Sequence, residues 1–193
     1  MTLPLQKPVA LFDYLAMDNA SLQRNEYVSG YIHAMTGGTM RHNRISGNVF
    51  RALANRLDGS PCQVFINDMK LHVQATNSVY YPDVFVYCGS STANDERVVQ
   101  DASLVVEVLS DSTASIDRRE KLAAYQKLPG LRAYWIVSQT EQRVEVFTHA
   151  AEAGSMGVWR ATAYTVGESI PNAALDDAPL ALSSVYAGTD IAA

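Results

Sequence analysis

The order of the predicted elements indicates an α/β fold in one domain, with a mixed β-sheet flanked by helices. Three runs rich in β-branched and aromatic residues lie close together in the middle of the chain, as neighbouring strands do. Amphipathic helices precede and follow these runs, and further strands come after the second helix. With 193 residues and a hydrophobic fraction of 48%, the chain has the size and composition of an ordinary globular domain.

The first part of the chain is predicted to contain a short helix, a hairpin and a long amphipathic helix. Residues 11–17 fit the short helix, and residues 26–35 alternate around Ser29-Gly30, as in a hairpin with Gly30 at its turn. Between residues 41 and 57, apolar residues recur at every fourth position and polar residues take the opposite face. The apolar set is Ile45, Val49, Leu53 and Leu57, and the polar set is Arg44, Asn48, Arg51 and Asn55.

The central runs are predicted to be adjacent strands of one sheet, and they cover residues 63–73, 79–87 and 103–109. Serine and threonine residues in 110–115 offer N-caps for a helix over 116–128, which Pro129-Gly130 ends. The strands predicted after this helix cover residues 133–137, 143–148 and about 159–165. The predicted boundaries are an N-terminal extension over 1–10, the folded domain over 11–185 and a C-terminal tail over 186–193.

Two carboxylates, Asp83 and Glu107, lie inside runs that otherwise resemble buried strands. A two-residue period places Asp83 on one face with Tyr81 and Phe85, so neither acid has an obviously solvated side. Because an unpaired carboxylate is costly in a core, the two acids predict a basic partner or a bound metal ion. A structural role stays open for each, since a strand-end position or an ion pair with a neighbouring Arg or Lys also satisfies an acid.

Two basic side chains are candidates to face these acids. In the second helix, Lys121 lies on one stripe with Tyr125 and Leu128, which aims its ammonium group towards the sheet. The alternative is a surface ion pair with Asp117, four residues earlier. His42 falls on the buried stripe of the first long helix, where a histidine can be a satisfied core group as well as a ligand.

Charge and composition argue against several functional classes. The net charge of −5 disfavours a generally basic, nucleic-acid-coating surface. Cys62 and Cys88 form no CxxC pair and are expected to be separate buried thiols, so we predict a reducing, cytoplasmic location. No stretch fits a signal peptide or a membrane span, so no membrane partner is expected, and P-loop, GxSxG and HExxH motifs do not occur. A local basic groove stays open, with candidates Arg41, Arg44, Arg51, Arg118, Arg119 and Lys127.

Short motifs occur along the chain in the order Asn25 to Gly30, His42, Asn67 to Leu71, Tyr81-Pro82-Asp83, Glu107 to Ser110, Ser112-Thr113, Asp117, Lys121, Tyr125 and Tyr134-Trp135. This order resembles the Uma-two family of restriction-endonuclease-like proteins, although no single motif is specific. The resemblance covers about residues 10–185. It implies the PD-(D/E)XK nuclease fold and a magnesium-dependent endonuclease that hydrolyses DNA phosphodiester bonds.

The resemblance assigns catalytic residues by matching position. Asp83 stands at the motif aspartate and Glu107 at the acid of the next strand, so this pair is implied to bind Mg²⁺, with Mn²⁺ as the alternative ion. Leu109 occupies the position at which the usual signature has lysine. The resemblance therefore implies that the catalytic cation is Lys121 of the following helix.

Two further residues match the family pattern and are implied to support the site. Glu26 would bind the metal through water, and His42 would contact phosphate or transfer a proton. Two departures are visible, since Asp111 stands where the family commonly has proline and Thr36 to Thr39 form a loop that is often proline-rich. Asp111 adds negative charge near a site meant for phosphate.

Three interpretations of function follow from this pattern. The resemblance implies DNA as the partner, with RNA as an open alternative, and homodimerisation would suit an enzyme that cuts both strands. A rival interpretation is a catalytically silent nuclease-like fold that acts as a binding or assembly module, in agreement with the pI of about 5.3 and the missing strand lysine. The third is a metal-dependent hydrolase of small phosphodiesters or nucleotides.

Overall fold

The computed structural model describes residues 7–89, 95–110, 117–150, 158–171 and 178–192. Within these residues the helices are α1 (Leu11–Ala20), α2 (Met40–Leu57), α3 (Leu122–Tyr125) and α4 (Leu182–Val185). A 3-10 turn covers Gln74–Thr76, and a π-helical turn over Asp117–Lys121 leads into α3. The strands before α3 are β1 (Asn25–Val28), β2 (Tyr31–Ala34), β3 (Gln63–Ile66), β4 (Lys70–Val73), β5 (Ser78–Tyr80), β6 (Val84–Tyr87), β7 (Val98–Val99) and β8 (Leu104–Val108). The strands after it are β9 (Ala133–Val137), β10 (Arg143–Ala150), β11 (Val158–Thr165), β12 (Ser169–Pro171) and β13 (Pro179–Ala181).

The central strands belong to two sheets rather than the one predicted. The first sheet has the order β2-β1-β5-β4-β7, and the second has the order β11-β10-β9-β8-β6-β3. Asn67 separates β3 from β4 in a left-handed conformation with φ of 59°. Pro82, which cannot donate a ladder hydrogen bond, lies between β5 and β6. The prediction of one sheet is therefore wrong, because the runs 63–73 and 79–87 each pass from one sheet to the other.

The second sheet contains the crossover that the sequence predicts. Strands β8 and β9 are parallel and are connected through α3, as the strand–helix–strand order requires. Strands β9, β10 and β11 follow as an antiparallel series, and β6 joins the other side of β8. The crossover and the three later strands are thus confirmed.

Helix α2 packs on one face of the second sheet, and its buried apolar residues are Ile45, Val49 and Leu53. These residues confirm the predicted apolar stripe. The predicted polar face of α2 is not solvent-exposed throughout, because Asn48 is buried. Its side-chain amide donates to the carbonyl oxygens of Val185 and Ala187 at 3.0 and 2.9 Å. Asn48 is therefore a buried contact to the C-terminal segment.

The segment after residue 185 contacts the sheet and α2. Tyr186 is buried, and its hydroxyl lies 2.7 Å from the carbonyl oxygen of Arg143 and 2.9 Å from that of Ser138. Burial raises the pKa of Tyr186 to about 12. Arg41 forms a bidentate ion pair with Asp190, with nitrogen–oxygen distances of 2.8 and 2.7 Å. Contacts to the core therefore continue past the predicted boundary at residue 185.

The other face of the second sheet packs against α3 and the first sheet. The Tyr125 ring contacts the rings of Tyr80 and Tyr134, each with a centroid separation of 5.3 Å. The helix predicted over 116–128 is described from Asp117 and ends at Tyr125. Its N-cap candidates at 111–115 lie outside the described residues.

The cysteines are joined, which corrects the prediction of two separate thiols. Cys62 and Cys88 form a disulfide with a Cα–Cα distance of 4.1 Å. Antiparallel pairing of β3 with β6 places Gln63 opposite Tyr87, so the cysteines just outside these strands face each other. The reason for predicting a reducing compartment is therefore lost, and the cytoplasmic location stays a prediction. No helix in the described part of the chain is long and apolar enough to cross a membrane.

Candidate active site

Asp83 lies in the short connection between β5 and β6, where the chain leaves the first sheet and enters the second. Its Oδ2 accepts a hydrogen bond from the backbone N–H of Val108 at 2.7 Å and lies 3.2 Å from Nε2 of His42. The predicted aromatic surroundings of Asp83 are therefore wrong, because Asp83 does not continue the alternation of β6. Its carboxylate is instead held between the end of β8 and the start of α2.

His42 reaches Asp83 from the first turn of α2. The Thr39 hydroxyl accepts the His42 backbone N–H at 3.1 Å, so Thr39 is the N-cap that fixes where the helix begins. The His42 and Asp83 side chains are each 15% exposed, which leaves this part of the site in contact with solvent. The inward direction predicted for His42 is confirmed.

Glu107 lies on β8 beside the position of Asp83. The antiparallel register pairs Val84 with Val106, so the next residues in the register are Asp83 and Glu107. Glu107 is 3% exposed, and its Oε1 accepts a hydrogen bond from the Tyr125 hydroxyl at 2.8 Å. The structure thus brings together the two acids that the sequence singles out, at the same end of neighbouring strands.

Lys121 binds two carboxylates from different sheets. Its Nζ lies 2.9 Å from Oε1 of Glu26 and 3.2 Å from Oε1 of Glu107. Lys121 is 5% exposed and also lies over the Tyr80 ring, 5.6 Å from the centroid. These contacts confirm the prediction that the ammonium group of Lys121, the last residue of the π-helical turn, faces the sheet.

Hydrogen bonds and burial fix the acids of this cluster. Glu26 on β1 also accepts the backbone N–H of Tyr81, two residues before Asp83, at 3.4 Å. Burial and then the negative charge of Glu107 raise the pKa of Tyr125 well above its ordinary value. Tyr125 therefore stays protonated as a donor to Glu107 throughout the neutral range.

The five predicted site residues form two connected groups. One contains Asp83 and His42, and the other contains Glu26, Glu107 and Lys121. The link between them is the end of β8, where Glu107 is followed by Val108, whose N–H binds Asp83. Among the described residues, no three or more His, Cys, Asp and Glu side chains form a ready-made metal cluster. The oxygen donors of Asp83 and Glu107 are nevertheless of the kind that Mg²⁺ prefers.

A second buried ion pair escaped the sequence interpretation. Lys70 on β4 binds Asp18 of α1 with a nitrogen–oxygen distance of 3.1 Å, and it donates to the Asn19 side chain at 2.9 Å. The Tyr81 hydroxyl donates to the same Asp18 carboxylate. Burial favours the neutral acid, but the bonds from Tyr81 and Lys70 outweigh it, so the pKa of Asp18 is lowered. The sequence did contain a signal for this pair, because Lys70 is a charged residue inside a predicted strand, as Asp83 is.

The family and relatives of the chain agree with the motif order. The model of the family described as "Uma2: Putative restriction endonuclease" matches residues 11–176. Two Synechocystis sp. proteins named "Uncharacterized protein", sll1609 and slr1290, are 31% identical over 147 residues and 33% identical over 135 residues. The first alignment covers 75% of this chain and 83% of the relative, and the second covers 70% and 71%. The predicted family resemblance is therefore confirmed.

A solved structure has the same fold. The crystal structure of "a putative nuclease belonging to DUF820" from Anabaena variabilis superposes with a TM-score of 0.73. The match covers 93% of this chain and 98% of that protein at 14% sequence identity. The fold class predicted from the sequence, a restriction-endonuclease-like mixed sheet flanked by helices, is thereby confirmed.

Proposed function

The chain belongs to the Uma-two family of restriction-endonuclease-like proteins, and from this premise we propose that it is a metal-dependent endonuclease that hydrolyses DNA phosphodiester bonds. The observation that carries the proposal is the convergence of Asp83 and Glu107 with Lys121 at one end of the second sheet. The ammonium group comes from the helix after β8, at a place where the strand itself offers only Leu109. In this proposal, Lys121 supplies the positive charge that the usual PD-(D/E)XK signature places on the strand.

The residues have distinct tasks in this proposal. Asp83 and Glu107 hold Mg²⁺, or Mn²⁺ in its place, which when bound polarises the scissile phosphate and makes its water more acidic. Val108 N–H and His42 fix the Asp83 carboxylate, and the Tyr125 hydroxyl fixes that of Glu107. Preorganised acids of this kind need no rearrangement during the reaction.

Lys121 and His42 act on the substrate in this proposal. Lys121 stabilises the negative charge that develops on the phosphate, and Glu26 holds its ammonium group at 2.9 Å from the other side. His42, at the partly exposed edge of the site, binds a phosphate oxygen or transfers a proton. Glu26 thus acts by positioning Lys121 and by accepting the Tyr81 N–H, in addition to any contact with metal-bound water.

A second candidate function has its own observation. The Lys121 ammonium group bridges Glu26 and Glu107, so it neutralises negative charge that a divalent cation would otherwise attract. A site in which lysine permanently takes the place of the cation would suit a catalytically silent binding or assembly module. The two candidates differ in one property, which is binding of Mg²⁺ or Mn²⁺ by the folded protein.

Cleavage and metal binding measured on the same variants separate these candidates. Supercoiled and single-stranded DNA, and an RNA of matching sequence, are incubated with the protein in Mg²⁺, Mn²⁺ or EDTA. The variants are Asp83→Asn, Glu107→Gln and Lys121→Met, with Asp13→Asn and Lys7→Met as exposed control substitutions. Calorimetric titration with Mn²⁺ gives the metal affinity of each folded protein.

If the protein is a nuclease, we expect wild-type protein and both control variants to cleave DNA in the presence of metal. All three site variants should lose this cleavage. Mn²⁺ binding should disappear in Asp83→Asn and Glu107→Gln but persist in Lys121→Met. Wild-type protein that binds no metal and cleaves no substrate overturns the nuclease and favours the silent module. Cleavage of model phosphodiesters without any cleavage of nucleic acid would instead identify a small-molecule hydrolase.

A further inference from the structure

The exposed edge strand β2 extends the sheet face that carries Glu26. In the antiparallel register of β1 and β2, His33 lies directly opposite Glu26, and Tyr31 lies opposite Val28. Directly opposed residues of an antiparallel pair project from the same face, with Cβ atoms about 5 Å apart. His33 and Tyr31 therefore continue the Glu26 side of the first sheet beyond the part that α3 covers.

Both side chains of this face are open to solvent. Tyr31 is 40% exposed, and His33 is also exposed, whereas Ile32 between them packs towards α1 on the opposite face. Two residues along a strand are about 7 Å apart. The face thus presents an aromatic ring and an imidazole in a line that leads to the Glu26 and Lys121 pair.

We propose that this face of β2, formed by Tyr31 and His33, binds an unpaired nucleic-acid strand and leads it into the active site. The inference rests on the proposed nuclease function and specifies its substrate as single-stranded. Tyr31 stacks on a base, which an unpaired strand exposes and a duplex does not. His33 donates a hydrogen bond to the phosphate next to the scissile phosphate, which Lys121 faces.

The placement of the arginines favours stacking over phosphate binding as the source of affinity. Arg41 is paired with Asp190, Arg118 binds Glu145 at 2.5 Å, and Arg51 donates to the Asn48 side chain at 3.2 Å. These are three of the six candidates for a basic groove, and the structure engages them in intramolecular contacts, so Arg44, Arg119 and Lys127 are the candidates that remain. A duplex bound mainly through its phosphates would need many such cations, whereas a stacked single strand needs few.

The test measures the binding of a labelled oligothymidylate and of a blunt duplex by fluorescence anisotropy in EDTA, at several salt concentrations. Tyr31→Ala removes the ring, and Tyr31→Phe keeps it. His33→Ala removes the imidazole, and the double variant His33→Ala with Ala34→His moves it to the opposite face of the same strand. Size-exclusion chromatography of each variant reports whether β2 pairs with a second copy of the chain.

We expect the single strand to bind more tightly than the duplex and Tyr31→Ala to weaken single-strand binding by roughly tenfold or more. Tyr31→Phe should bind like the wild type. His33→Ala should weaken binding several-fold, and the double variant should not restore it. The slope of log affinity against log salt should be shallow, with a magnitude of about 2 or less for the single strand.

The outcomes separate this inference from the proposed function. If the wild type cleaves DNA and the β2 variants bind and cleave like it, the inference is wrong while the nuclease stands. Tighter duplex binding, or a dimer that Tyr31→Ala dissociates with no change in oligonucleotide affinity, also overturns it. Single-strand binding that depends on Tyr31 without any cleavage supports the β2 surface and overturns catalysis. A wild type that neither binds nor cleaves overturns both.

Discussion

Two buried lysines on opposite faces of the first sheet differ in how many carboxylates they neutralise. Lys70 binds one acid, Asp18, and also has Asn19 as a neutral acceptor. Lys121 is shared by two acids, Glu26 and Glu107. Among the described residues, the Lys70 pair is thus balanced in charge, whereas two carboxylates contact the single ammonium group of Lys121.

This difference in charge separates a structural ion pair from a candidate active site. An ion pair that is balanced in charge has no need of a further cation, and its hydrogen bonds offset part of the cost of burying it. An unbalanced cluster attracts a cation, and Asp83 lies at the next position in the strand register beside Glu107. Burial of a lysine is therefore a weak indication of function, and the count of acids around it is a stronger one.

The largest expected effect is on catalysis and concerns Lys121. Lys121→Met should reduce DNA cleavage by about a hundredfold or more, because the developing charge on the phosphate loses its cation. Lys70→Met should leave the cleavage rate of the remaining folded protein within a few-fold of wild type. Single-turnover rates, normalised to the folded fraction from circular dichroism, check this. Equal losses in both variants would remove the distinction between the two clusters.

The next effect is on stability and concerns Lys70. Lys70→Met should lower the free energy of unfolding by about 3–5 kcal/mol, because it leaves the buried Asp18 carboxylate without its cation. The double variant Asp18→Asn with Lys70→Met should recover much of this loss, since it removes both charges. Urea denaturation followed by tryptophan fluorescence measures both. A single variant as stable as wild type would mean that the pair is not buried in solution.

A smaller effect is expected from added metal. Mg²⁺ at ten times its dissociation constant should stabilise the wild type by about 1.4 kcal/mol if it binds only the folded state. Asp83→Asn should lose this stabilisation, whereas Asp18→Asn should retain it, because Asp18 belongs to the balanced pair. Thermal unfolding with and without Mg²⁺ tests the contrast. Stabilisation that survives in Asp83→Asn would place the ion elsewhere.

The smallest effect is the pH dependence of the Asp18 pair. The folded-state pKa of Asp18 is lowered, so the folded protein binds fewer protons at this group than the unfolded chain. Its stabilisation is present above the unfolded-state pKa near 3.8 and is lost as the pH falls through the lower folded-state pKa. In Asp18→Asn with Lys70→Met, unfolding free energy should therefore fall less steeply below about pH 4. An unchanged acid slope would contradict the lowered pKa.

Local patterns in the sequence predicted the elements well. The amphipathic spacing of Ile45, Val49 and Leu53 located α2, and alternation around Gly30 located the first hairpin. The stripe of Lys121 and Tyr125 gave the direction of both side chains towards Glu107. These predictions depend only on neighbours within a few residues, whose geometry is set by the helical and strand periods.

Contacts between distant segments were harder to predict. The run from Val79 to Tyr87 reads as one strand, yet Pro82 divides it between two sheets and turns Asp83 towards His42. Cys62 and Cys88 became partners only because β3 pairs with β6. Alternation within a segment carries no information about which strand will lie beside it.

By itself, the sequence determined the helices, most strands, the family resemblance and the residue types available for catalysis. Only the tertiary structure decided that Lys121 is shared by Glu26 and Glu107 while Lys70 is balanced by Asp18. The reason is that a side chain's direction follows from local periodicity, whereas its charge environment sums over strands and helices that are distant in sequence. The number of carboxylates that surround each buried lysine is therefore a property of the assembled sheets.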